Sequence, residues 1–415
     1  MDKAKSYSIE KRTVWEAYLR VKRNDGTYGV DEQSIEDFEK DLKGNLYKIW
    51  NRMSSGSYMP PAVRRVEIPK GEGKTRPLGI PTVADRIAQM VVKMHLEPQC
   101  EKYFHADSYA YRLNKSAHDA VGKARERCWK YAWVIDLDIK AFFDSIDHDL
   151  MMRAVLKHTQ EKWILLYVER WLKAPVQEQN GTLQKRARGT PQGSVISPLL
   201  ANLYLHYALD KWMERKYPQC PFERYADDEI IHCRTQEEAK AVKEAIGSRL
   251  KECGLELHPE KTKIVYCKQS GRKENVTEIK FDFLGFTFRP RRVKSKAGAI
   301  FVSFTPAISL KARAKISAAI REWRLPNRSG STLQDIAKLT NPAIRGWINY
   351  YGKFTRSALY CIIAHVNKLL AKWASKRYKK LRRSYNKAAM WLRQISDKNR
   401  TLFVHWTFSN SVPIG

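Results

Sequence analysis

The sequence predicts an α+β fold up to about residue 300 and an all-helical region beyond it. Strand-like segments occur in pairs about short turns, at residues 63–80, 222–233 and 279–288. Amphipathic helical periodicity fills the intervals between these pairs and is the only pattern beyond Thr305. Because strands joined by short turns pair antiparallel, we expect antiparallel sheets with helices packed against them.

Composition excludes a short peptide and a disordered chain, and it indicates a polyanionic partner. The 415 residues are 43% hydrophobic, which is enough for an ordinary globular core. They carry 76 Lys or Arg against 44 Asp or Glu, a net charge of +32 that nucleic acid would neutralise. No apolar run approaches a membrane span, and the seven dispersed cysteines include no C-x-x-C pair. We therefore expect a cytoplasmic protein with reduced thiols, no zinc module and no membrane association.

The first elements in chain order are helices and a hairpin. Residues 1–58 have amphipathic helical patterns interrupted at Asn24-Asp25-Gly26, which indicates an N-terminal helical extension. A hairpin follows over residues 63–80, with Lys70 and Arg76 on either side of a Gly-Glu-Gly turn. Helical periodicity then covers residues 81–99 and 116–130.

The central elements hold the most informative acidic residues. In the strand predicted over residues 131–138, Asp136 and Asp138 share one face. A tight turn between two later short strands contains Asp227 and Asp228. The remaining central elements are helices over 149–158 and 162–172, a short hairpin ending at 188, a turn and long apolar helix within 189–210, strands over 222–225 and 229–233, a helix over 236–253, a strand-like 255–257 and the hairpin at 279–288.

The C-terminal region is strongly basic and helical. Residues 301–415 hold 22 Lys or Arg and 3 acidic residues, so they carry +19 of the net charge. Apolar residues from Leu359 to Trp373 recur at helical spacing and predict a core-facing stripe. Aromatic residues among cations suit stacked bases and phosphates, with solubility or a membrane-surface patch as the alternative. These aromatics are Trp323, Trp347, Tyr350, Tyr351, Trp373, Tyr378 and Tyr385.

Asp138, Asp227 and Asp228 are the leading candidates for a catalytic site. Adjacent aspartates repel each other and are poor strand formers, so their charge needs compensation. Two divalent metals about 3.5–4 Å apart would activate a 3′-hydroxyl and stabilise the leaving phosphate oxygens. Magnesium takes oxygen ligands, many of them from phosphate and water, so two or three Asp are enough. The alternative is an ordinary turn, because Asp-Asp is common in turns.

Several motifs resemble those of one polymerase family. Tyr225-Ala226-Asp227-Asp228 resembles the Y-x-D-D box of reverse transcriptases. Residues 134–144 (VIDLDIKAFFD) resemble their first catalytic strand, residues 189–202 (GTPQGSVISPLLAN) their template-facing motif, and residues 283–286 (FLGF) their primer grip. Residues 339–351 (LTNPAIRGWINYY) are similar to the maturase domain of group II intron proteins. On these motifs, the chain resembles the group II intron reverse transcriptases/maturases along its whole length.

The resemblance implies an RNA-directed DNA polymerase that uses two Mg²⁺ ions. Asp138, Asp227 and Asp228 match the metal-binding positions, with the backbone carbonyl of Ile139 as a further ligand. Asp136 shares the strand face and is the less favoured carboxylate. The implied reaction transfers a nucleotide from a deoxynucleoside triphosphate to a primer 3′-hydroxyl.

The resemblance also implies contacts to the triphosphate. Lys70 and Arg76 match fingers residues that clamp the phosphates, a role that suits a point charge and a bidentate fork. The alternative for both is an ordinary pair of surface cations on a hairpin. Lys261 matches a lysine that assists pyrophosphate departure, although a helix start of this composition is ordinary.

Further positions are implied to contact the sugar, the base pair and the primer. Phe143 matches an aromatic that excludes a 2′-hydroxyl and so selects deoxynucleotides, with a core aromatic beside Phe142 as the alternative. Gln192 and Gly193 match a turn whose backbone approaches the nascent base pair, where glycine permits close contact. The primer grip comprises Phe283, Leu284, Gly285 and Phe286.

The implied architecture is a right-hand polymerase in three parts. These are the N-terminal extension (residues 1–58), fingers and palm (59–300) and an all-helical thumb and maturase domain (301–415). The last part is expected to bind group II intron RNA and assist its splicing and mobility, in a bacterial cytoplasm. If the cations of this part have helical spacing, several of them would lie along one phosphate backbone. The candidate RNA-binding residues are Arg345, Lys372, Lys376, Arg377, Lys379, Lys380, Arg382 and Arg383.

Two features depart from the family pattern. Ala110, Tyr111 and Leu113-Asn114 replace the usual glycine, phenylalanine and Pro-Gly of a fingers loop, which leaves the geometry of that loop open. No H-N-H nuclease motif follows residue 415, so we expect that the protein does not cut the second DNA strand and takes its primer from elsewhere.

Three alternative functions are open at this point. One is an RNA-binding splicing factor with a vestigial polymerase site, which the intact Asp138, Asp227 and Asp228 disfavour. Another is a domesticated reverse transcriptase in host defence or repair, without an intron partner. The third is an RNA polymerase that uses ribonucleotides, which Phe143 disfavours.

Overall fold

The computed structural model describes residues 6–71, 74–295, 297–382 and 384–408, with the side chains of residues 70, 71 and 74 outside the description. The chain forms two compact units. The first unit comprises Met1–Ser116 and Ile135–Lys263, and the second comprises Ala117–Val134 and Ile264–Gly415. The division into functional parts at residues 58 and 300 stays a prediction.

The first unit begins with the predicted N-terminal helices. They are α1 (Lys11–Asn24), α2 (Ile35–Glu39) and α3 (Leu42–Ser54). Helix α1 buries Val14, Ala17, Tyr18 and Val21 and packs on α4 (Val83–Glu101). Helix α4 is buried on most of its circumference, which makes it the central helix of this part of the unit.

The predicted hairpin is present as β1 (Val63–Gly71) and β2 (Lys74–Ile80), which pair antiparallel. The predicted short hairpin ending at residue 188 is also present, as β4 (Val176–Gln177) and β5 (Leu183–Gln184). Strand β4 adds to β1 in parallel, and this gives a sheet of order β2-β1-β4-β5. Helix α8 (Lys162–Lys173), which precedes β4, packs on α4.

A second sheet in this unit carries the predicted acidic residues. Strand β3 (Trp133–Leu137) lies beside β7 (Asp228–Cys233), which pairs antiparallel with β6 (Phe222–Tyr225). The residues expected to form a strand at 255–257 make one isolated bridge, between Ile139 and Leu257. The helices of this part are α6 (Phe142–Ser145), α7 (His148–Leu156), α9 (Ser197–Leu205), a π-helical turn (His206–Asp210), α10 (Lys211–Lys216) and α11 (Gln236–Glu252).

The second unit combines one three-stranded sheet with helices. Helix α5 (Ala117–Lys130) packs on β11 (Ile300–Ile308), and the sheet has the order β11-β10-β9. Strands β9 (Phe281–Phe283) and β10 (Phe286–Lys294) confirm the predicted hairpin at 279–288. Strand β8 (Lys263–Tyr266) leads into this unit. The long β10–β11 hairpin was not predicted, and β11 ends after Thr305, where the sequence indicated only helices.

Four α-helices of the second unit enclose a hydrophobic core. They are α12 (Leu310–Glu322), α13 (Leu333–Tyr351), α14 (Tyr360–Arg377) and α15 (Tyr385–Lys398). The predicted stripe on α14 faces this core, since Ile362, Ile363, Val366 and Trp373 are buried. The expectation that the neighbouring aromatics are free for bases is not supported, because Trp323, Trp347, Tyr351 and Tyr385 also pack against the core.

The basic run after Trp373 is not one helix, which corrects the expected helical spacing. Helix α14 ends at Arg377, and Tyr378 has extended backbone dihedrals. The Tyr378 ring contacts the rings of Trp373 and Trp391, at centroid distances of 5.9 and 5.0 Å. Because this packing turns the chain, Lys379 and Lys380 lie in a short 3-10 turn outside the helix.

Candidate active site

Asp138 follows β3 and its backbone is held by a later turn. Its carbonyl accepts hydrogen bonds from the His258 amide at 2.8 Å and from the Thr262 hydroxyl at 3.3 Å. The Asp138 side chain is half-buried. Its two carboxylate oxygens accept hydrogen bonds from Nζ of Lys261, each at 3.3 Å. This places Lys261 on the carboxylate, while its expected role in pyrophosphate departure stays a prediction.

Asp227 and Asp228 lie at the turn of the β6–β7 hairpin. Tyr225 pairs with Asp228, so Ala226 and Asp227 form a two-residue loop. Ala226 has a φ of +59°, a left-handed conformation that favours glycine. The Asp227 side chain is half-buried and Asp228 is exposed. Since β7 lies beside β3, the three candidate carboxylates come from neighbouring strands of one sheet.

The donor set suits a divalent metal. Three carboxylates supply the hard oxygen donors that Mg²⁺ prefers. Lys261 forms an ion pair with the Asp138 carboxylate, so these oxygens already bind a positively charged group. The resemblance also implied the backbone carbonyl of Ile139 as a ligand. In the structure Ile139 forms an isolated β-bridge with Leu257.

Arg76, Gln192 and Gly193 come together in the first unit. Arg76 Nε donates to the side-chain oxygen of Gln192, and the Gly79 amide donates to the Gln192 carbonyl at 2.7 Å. Gly193 has a φ of +110°, and a Cβ there would lie 2.9 Å from the Gly79 carbonyl oxygen. The close backbone contact that requires glycine at position 193 is therefore the contact with Gly79 of β2.

Phe143 is joined to the start of the loop that contains Gln192. Its side chain is 6% exposed, and its carbonyl accepts the Thr190 amide at 2.8 Å. A Cβ on Gly189, whose φ is +80°, would lie 2.8 Å from the same carbonyl oxygen. The predicted sugar-contacting residue and the predicted template-facing loop are thus packed directly against each other.

Tyr111, which departs from the family pattern, lies close enough to Asp227 for that charge to affect its pKa. Desolvation raises the pKa of its hydroxyl, the charge of Asp227 adds to that rise, and Arg76 opposes it. Tyr111 also has a φ of +58°. The side chain of Lys70 lies outside the described part of the structure, so its contact with the triphosphate stays a prediction.

The expected primer-grip residues lie in the second unit. Phe283 and Phe286 are buried there, at 2% and 0% exposure, and contribute to its core. Leu284 and Gly285 form the turn between β9 and β10, with φ values of +51° and +79°. The Tyr350 hydroxyl donates to the Leu284 carbonyl at 2.9 Å, which anchors the turn to α13.

The candidate RNA-binding cations also lie in the second unit, and the described members are largely exposed. Lys376 Nζ donates to Asn327 at 3.3 Å, and Arg377 donates to the Ser329 carbonyl. Arg383 falls outside the described residues. The exposed members are Arg345, Lys372, Lys376, Arg377, Lys379, Lys380 and Arg382.

Sequence reasoning missed a buried charged cluster that contacts the Ala226–Asp227 turn. Arg224 and Asp210 form a fully buried ion pair, 2.6 Å from Nη2 to Oδ2. Burial would raise the pKa of Asp210, but the Arg224 charge and hydrogen bonds hold it below the ordinary value. Glu229, the cross-strand partner of Arg224, is buried too, and burial together with the Asp210 charge raises its pKa well above the usual range. The signal in the sequence that could have indicated this cluster was the arginine directly before Tyr225.

An α+β unit with three aspartates at neighbouring strands of one sheet has the oxygen donors that metal-assisted phosphoryl transfer uses. Residues 68–288 match the family described as reverse transcriptase (RNA-dependent DNA polymerase), and residues 313–391 match the group II intron, maturase-specific domain. The chain belongs to the group II intron reverse transcriptase/maturase family, and it is accordingly an RNA-directed DNA polymerase.

The chain is also similar to several individual proteins. The group II intron-encoded protein LtrA of Lactococcus lactis subsp. cremoris is 27% identical over 434 residues, covering 83% of this chain and 69% of the relative. Protein YkfC of Escherichia coli is 31% identical over 281 residues, covering 57% of this chain and 72% of the relative. The putative COX1/OXI3 intron 1 protein of Saccharomyces cerevisiae is 32% identical over 48% of this chain and 24% of its own length.

Among the helices that the structure describes, none has both the length and the apolar character needed to cross a bilayer.

Proposed function

We propose that the first unit synthesises cDNA on an RNA template, at a site formed by Asp138, Asp227 and Asp228. The observation that carries this proposal is the placement of these carboxylates on neighbouring strands of one sheet. Arg76, Gln192 and Gly193 lie in the same unit and supply a cation and a close backbone approach. A DNA primer and deoxynucleoside triphosphates are the substrates.

Two Mg²⁺ ions are the proposed cofactors. The carboxylates of Asp138, Asp227 and Asp228 and the carbonyl of Ile139 would hold them. When bound, they would lower the pKa of the primer hydroxyl and neutralise charge on the triphosphate.

The surrounding side chains would bind and orient the nucleotide. The guanidinium of Arg76 presents a planar fork of donors that suits phosphate oxygens, and Lys70 would add a point charge. Arg76 is held by Gln192 in the structure, so it is already oriented at the loop where the base pair would form. Phe143 would exclude a 2′-hydroxyl, and Lys261 would leave Asp138 to donate a hydrogen bond to pyrophosphate.

The second unit would contact the nucleic acid outside the reaction centre. Its Leu284–Gly285 turn, with the flanking phenylalanines, would support the primer strand as a grip. Its exposed cations would bind folded group II intron RNA and so assist splicing and mobility. In this proposal residues 1–58 are an extension, residues 59–300 fingers and palm, and residues 301–415 thumb and maturase domain, acting on nucleic acid in a bacterial cytoplasm.

The test is extension of a DNA primer on an RNA template with Mg²⁺ and deoxynucleotides. We expect the wild type to extend the primer and Asp227→Asn/Asp228→Asn to lose at least about a thousandfold in rate, because two charged ligands are removed. Asp136→Asn is the matched control, since it changes an aspartate of the same sheet that is not assigned to the metal. If the double variant retains the wild-type rate, the site assignment is wrong. If the wild type binds structured RNA but never extends, the chain is better explained as a splicing factor with a vestigial site.

A further inference from the structure

Arg224 is a fully buried arginine beside the catalytic turn. It is 0% exposed, and it is the residue of β6 immediately before Tyr225. Burying a guanidinium without partners is costly, so its hydrogen bonds indicate what the side chain does in the fold. Four such bonds are made, by three of its nitrogens.

One side of the guanidinium is fixed by an ion pair. Nε and Nη2 donate to the two oxygens of Asp210, at 2.7 and 2.6 Å. This bidentate contact fixes both the distance and the plane of the group. Asp210 is itself 0% exposed and ends the π-helical turn that continues α9. The ion pair therefore aims the remaining nitrogen in one direction.

The remaining nitrogen reaches the catalytic turn. Nη1 donates to the Ala226 carbonyl at 3.1 Å and to the Asn202 side-chain oxygen at 3.0 Å. The Ala226 carbonyl belongs to the same planar peptide as the Asp227 amide. A hydrogen bond to this carbonyl therefore sets the orientation of the backbone from which the Asp227 side chain projects.

The backbone at Ala226 needs such a restraint. Its φ of +59° is unfavourable for a residue with a Cβ by about 1–2 kcal/mol. Two-residue hairpin loops with a positive φ at this position ordinarily use glycine there. Holding alanine in this conformation requires interactions from the surrounding fold, and Arg224 supplies one from inside the protein.

The same arginine joins the turn to two other segments. Its own amide donates to the Asp107 carbonyl, and its carbonyl accepts the Tyr109 amide, both at 2.9 Å. Asn202, which accepts from Nη1, donates through Nδ2 to the Ala110 carbonyl at 2.7 Å. The turn, α9 and residues 107–110 are thus connected through one buried network.

We propose that Arg224, oriented by Asp210, is a positioning residue that sets the backbone of the Asp227 turn for nucleotidyl transfer. It acts through the Ala226 peptide and does not touch substrate. The inference rests on the proposed function, in which Asp227 is an active-site carboxylate.

The test removes the network while keeping the fold. In Asp210→Leu/Arg224→Met both buried charges are replaced together, a change that is often neutral or stabilising. The matched control is Glu223→Met/His232→Leu, which removes another fully buried pair, 2.7 Å apart, that joins β6 to β7. Glu223 lies on the opposite face of β6 from Arg224, because strand side chains alternate.

We expect a loss of rate without a matching loss of substrate binding. In single-turnover extension, Asp210→Leu/Arg224→Met should lower the maximal rate by about a hundredfold, the effect of misplacing a reacting group by about 1 Å. The nucleotide concentration at half-maximal rate should change less than about threefold, since Arg224 does not contact the nucleotide. The control pair should keep its rate, and amide exchange over residues 225–229 should accelerate only in the Arg224 variant.

Arg224→Lys supplies a second variant that keeps the charge. One ammonium can pair with Asp210 but lacks the planar fork that also reaches Ala226. We expect the same loss of maximal rate and the same faster exchange at the turn. A wild-type rate in Arg224→Lys, or equal losses of rate and thermal stability in both pair variants, would overturn the positioning role.

An Asp227→Asn variant separates this inference from the proposed function. If Asp227→Asn retains the wild-type rate, the site assignment fails whatever Arg224 does. If Asp227→Asn is inactive while Asp210→Leu/Arg224→Met extends at the wild-type rate, only the positioning role fails.

Discussion

At the residue scale, the position of Phe143 is compatible with both roles that the sequence suggested. Its ring is 6% exposed and lies 5.3 Å from the ring of Phe142. A core aromatic and an aromatic that packs beneath a deoxyribose would share this burial. The two roles differ in their effect on nucleotide choice, because only the second excludes a 2′-hydroxyl.

We predict that Phe143→Ala relaxes sugar selection. Removing the ring opens space for the 2′-hydroxyl, so incorporation of ribonucleotides relative to deoxynucleotides should rise by about ten- to a hundredfold. The measurement is competition between the two nucleotides during primer extension. Phe142→Ala is the control, because that neighbouring phenylalanine is also buried, at 2% exposure. An unchanged ratio in Phe143→Ala, or the same rise in both variants, would assign Phe143 to the core.

Sequence reasoning at this scale identified the residues whose chemistry is local. Asp227 and Asp228 could be placed in a tight turn because strand patterns flank them on both sides, and the structure has this turn. Arg224 was missed because a single arginine in a strand ordinarily indicates an exposed position. Its burial depends on Asp210, which lies fourteen residues earlier on a different element. Such partners follow from the tertiary fold and not from spacing.

At the element scale, hairpins whose strands alternate or flank a clear turn were predictable, whereas the β10–β11 hairpin was not. Strands β1 and β2 appear where alternation indicated them, and β6 and β7 appear on either side of the predicted tight turn. The β10–β11 hairpin was missed because the second half of β10 is mostly exposed or half-buried, so alternation is absent there. It also contains Pro290, which normally argues against an interior strand.

Helix α4 carries a buried carboxylate that links several elements of the first unit. Asp85 accepts hydrogen bonds from the Tyr58 hydroxyl at 3.0 Å, the Trp171 indole at 2.8 Å and the Gln89 amide at 2.9 Å. Gln89 in turn accepts the Ile196 amide at 3.3 Å, so the network reaches the N-terminus of α9. Burial raises the pKa of Asp85 from 3.8 to about 6, although the three hydrogen bonds oppose the rise.

We predict that Asp85 makes the first unit lose stability as the pH rises towards neutrality. The folded protein holds the Asp85 proton more tightly than the unfolded chain does. Its contribution is therefore complete below the unfolded pKa near 3.8 and is lost as the pH passes the folded value near 6. The loss relative to Asp85→Asn should total about 3 kcal/mol in the free energy of unfolding.

Denaturant unfolding of wild type and Asp85→Asn between about pH 4 and pH 7 measures this difference. Asp37→Asn is the control, and its difference from the wild type should stay nearly constant over this range. Hydrogen bonds from Lys40 and Ser34 lower the pKa of Asp37, so its contribution is present above the unfolded pKa and is lost in acid. A difference between wild type and Asp85→Asn that stays constant over this range would show that Asp85 is ionised throughout.

At the scale of the whole molecule, charge is distributed unevenly along the chain. Residues 301–415 carry a net +19 of the total +32. The exposed cations at the end of α14 and in the turn after it concentrate this charge, whereas the nearby aromatics mostly pack into the core. Binding by this surface should therefore depend mainly on phosphate neutralisation, with base stacking a minor part.

We predict that Lys372→Gln/Lys379→Gln/Lys380→Gln weakens binding of folded intron RNA and makes it less sensitive to salt. Removing one cation from a phosphate should reduce the slope of log affinity against log salt by about 0.7–0.9, so removing three should reduce it by about 2–3. All three side chains are exposed, so the thermal midpoint should stay near that of the wild type. The matched control is Lys102→Gln/Lys240→Gln/Lys251→Gln, which removes the same charge from exposed positions in the first unit. If both triple variants lose affinity and slope equally, RNA binding follows net charge alone, and the second unit provides no particular RNA surface.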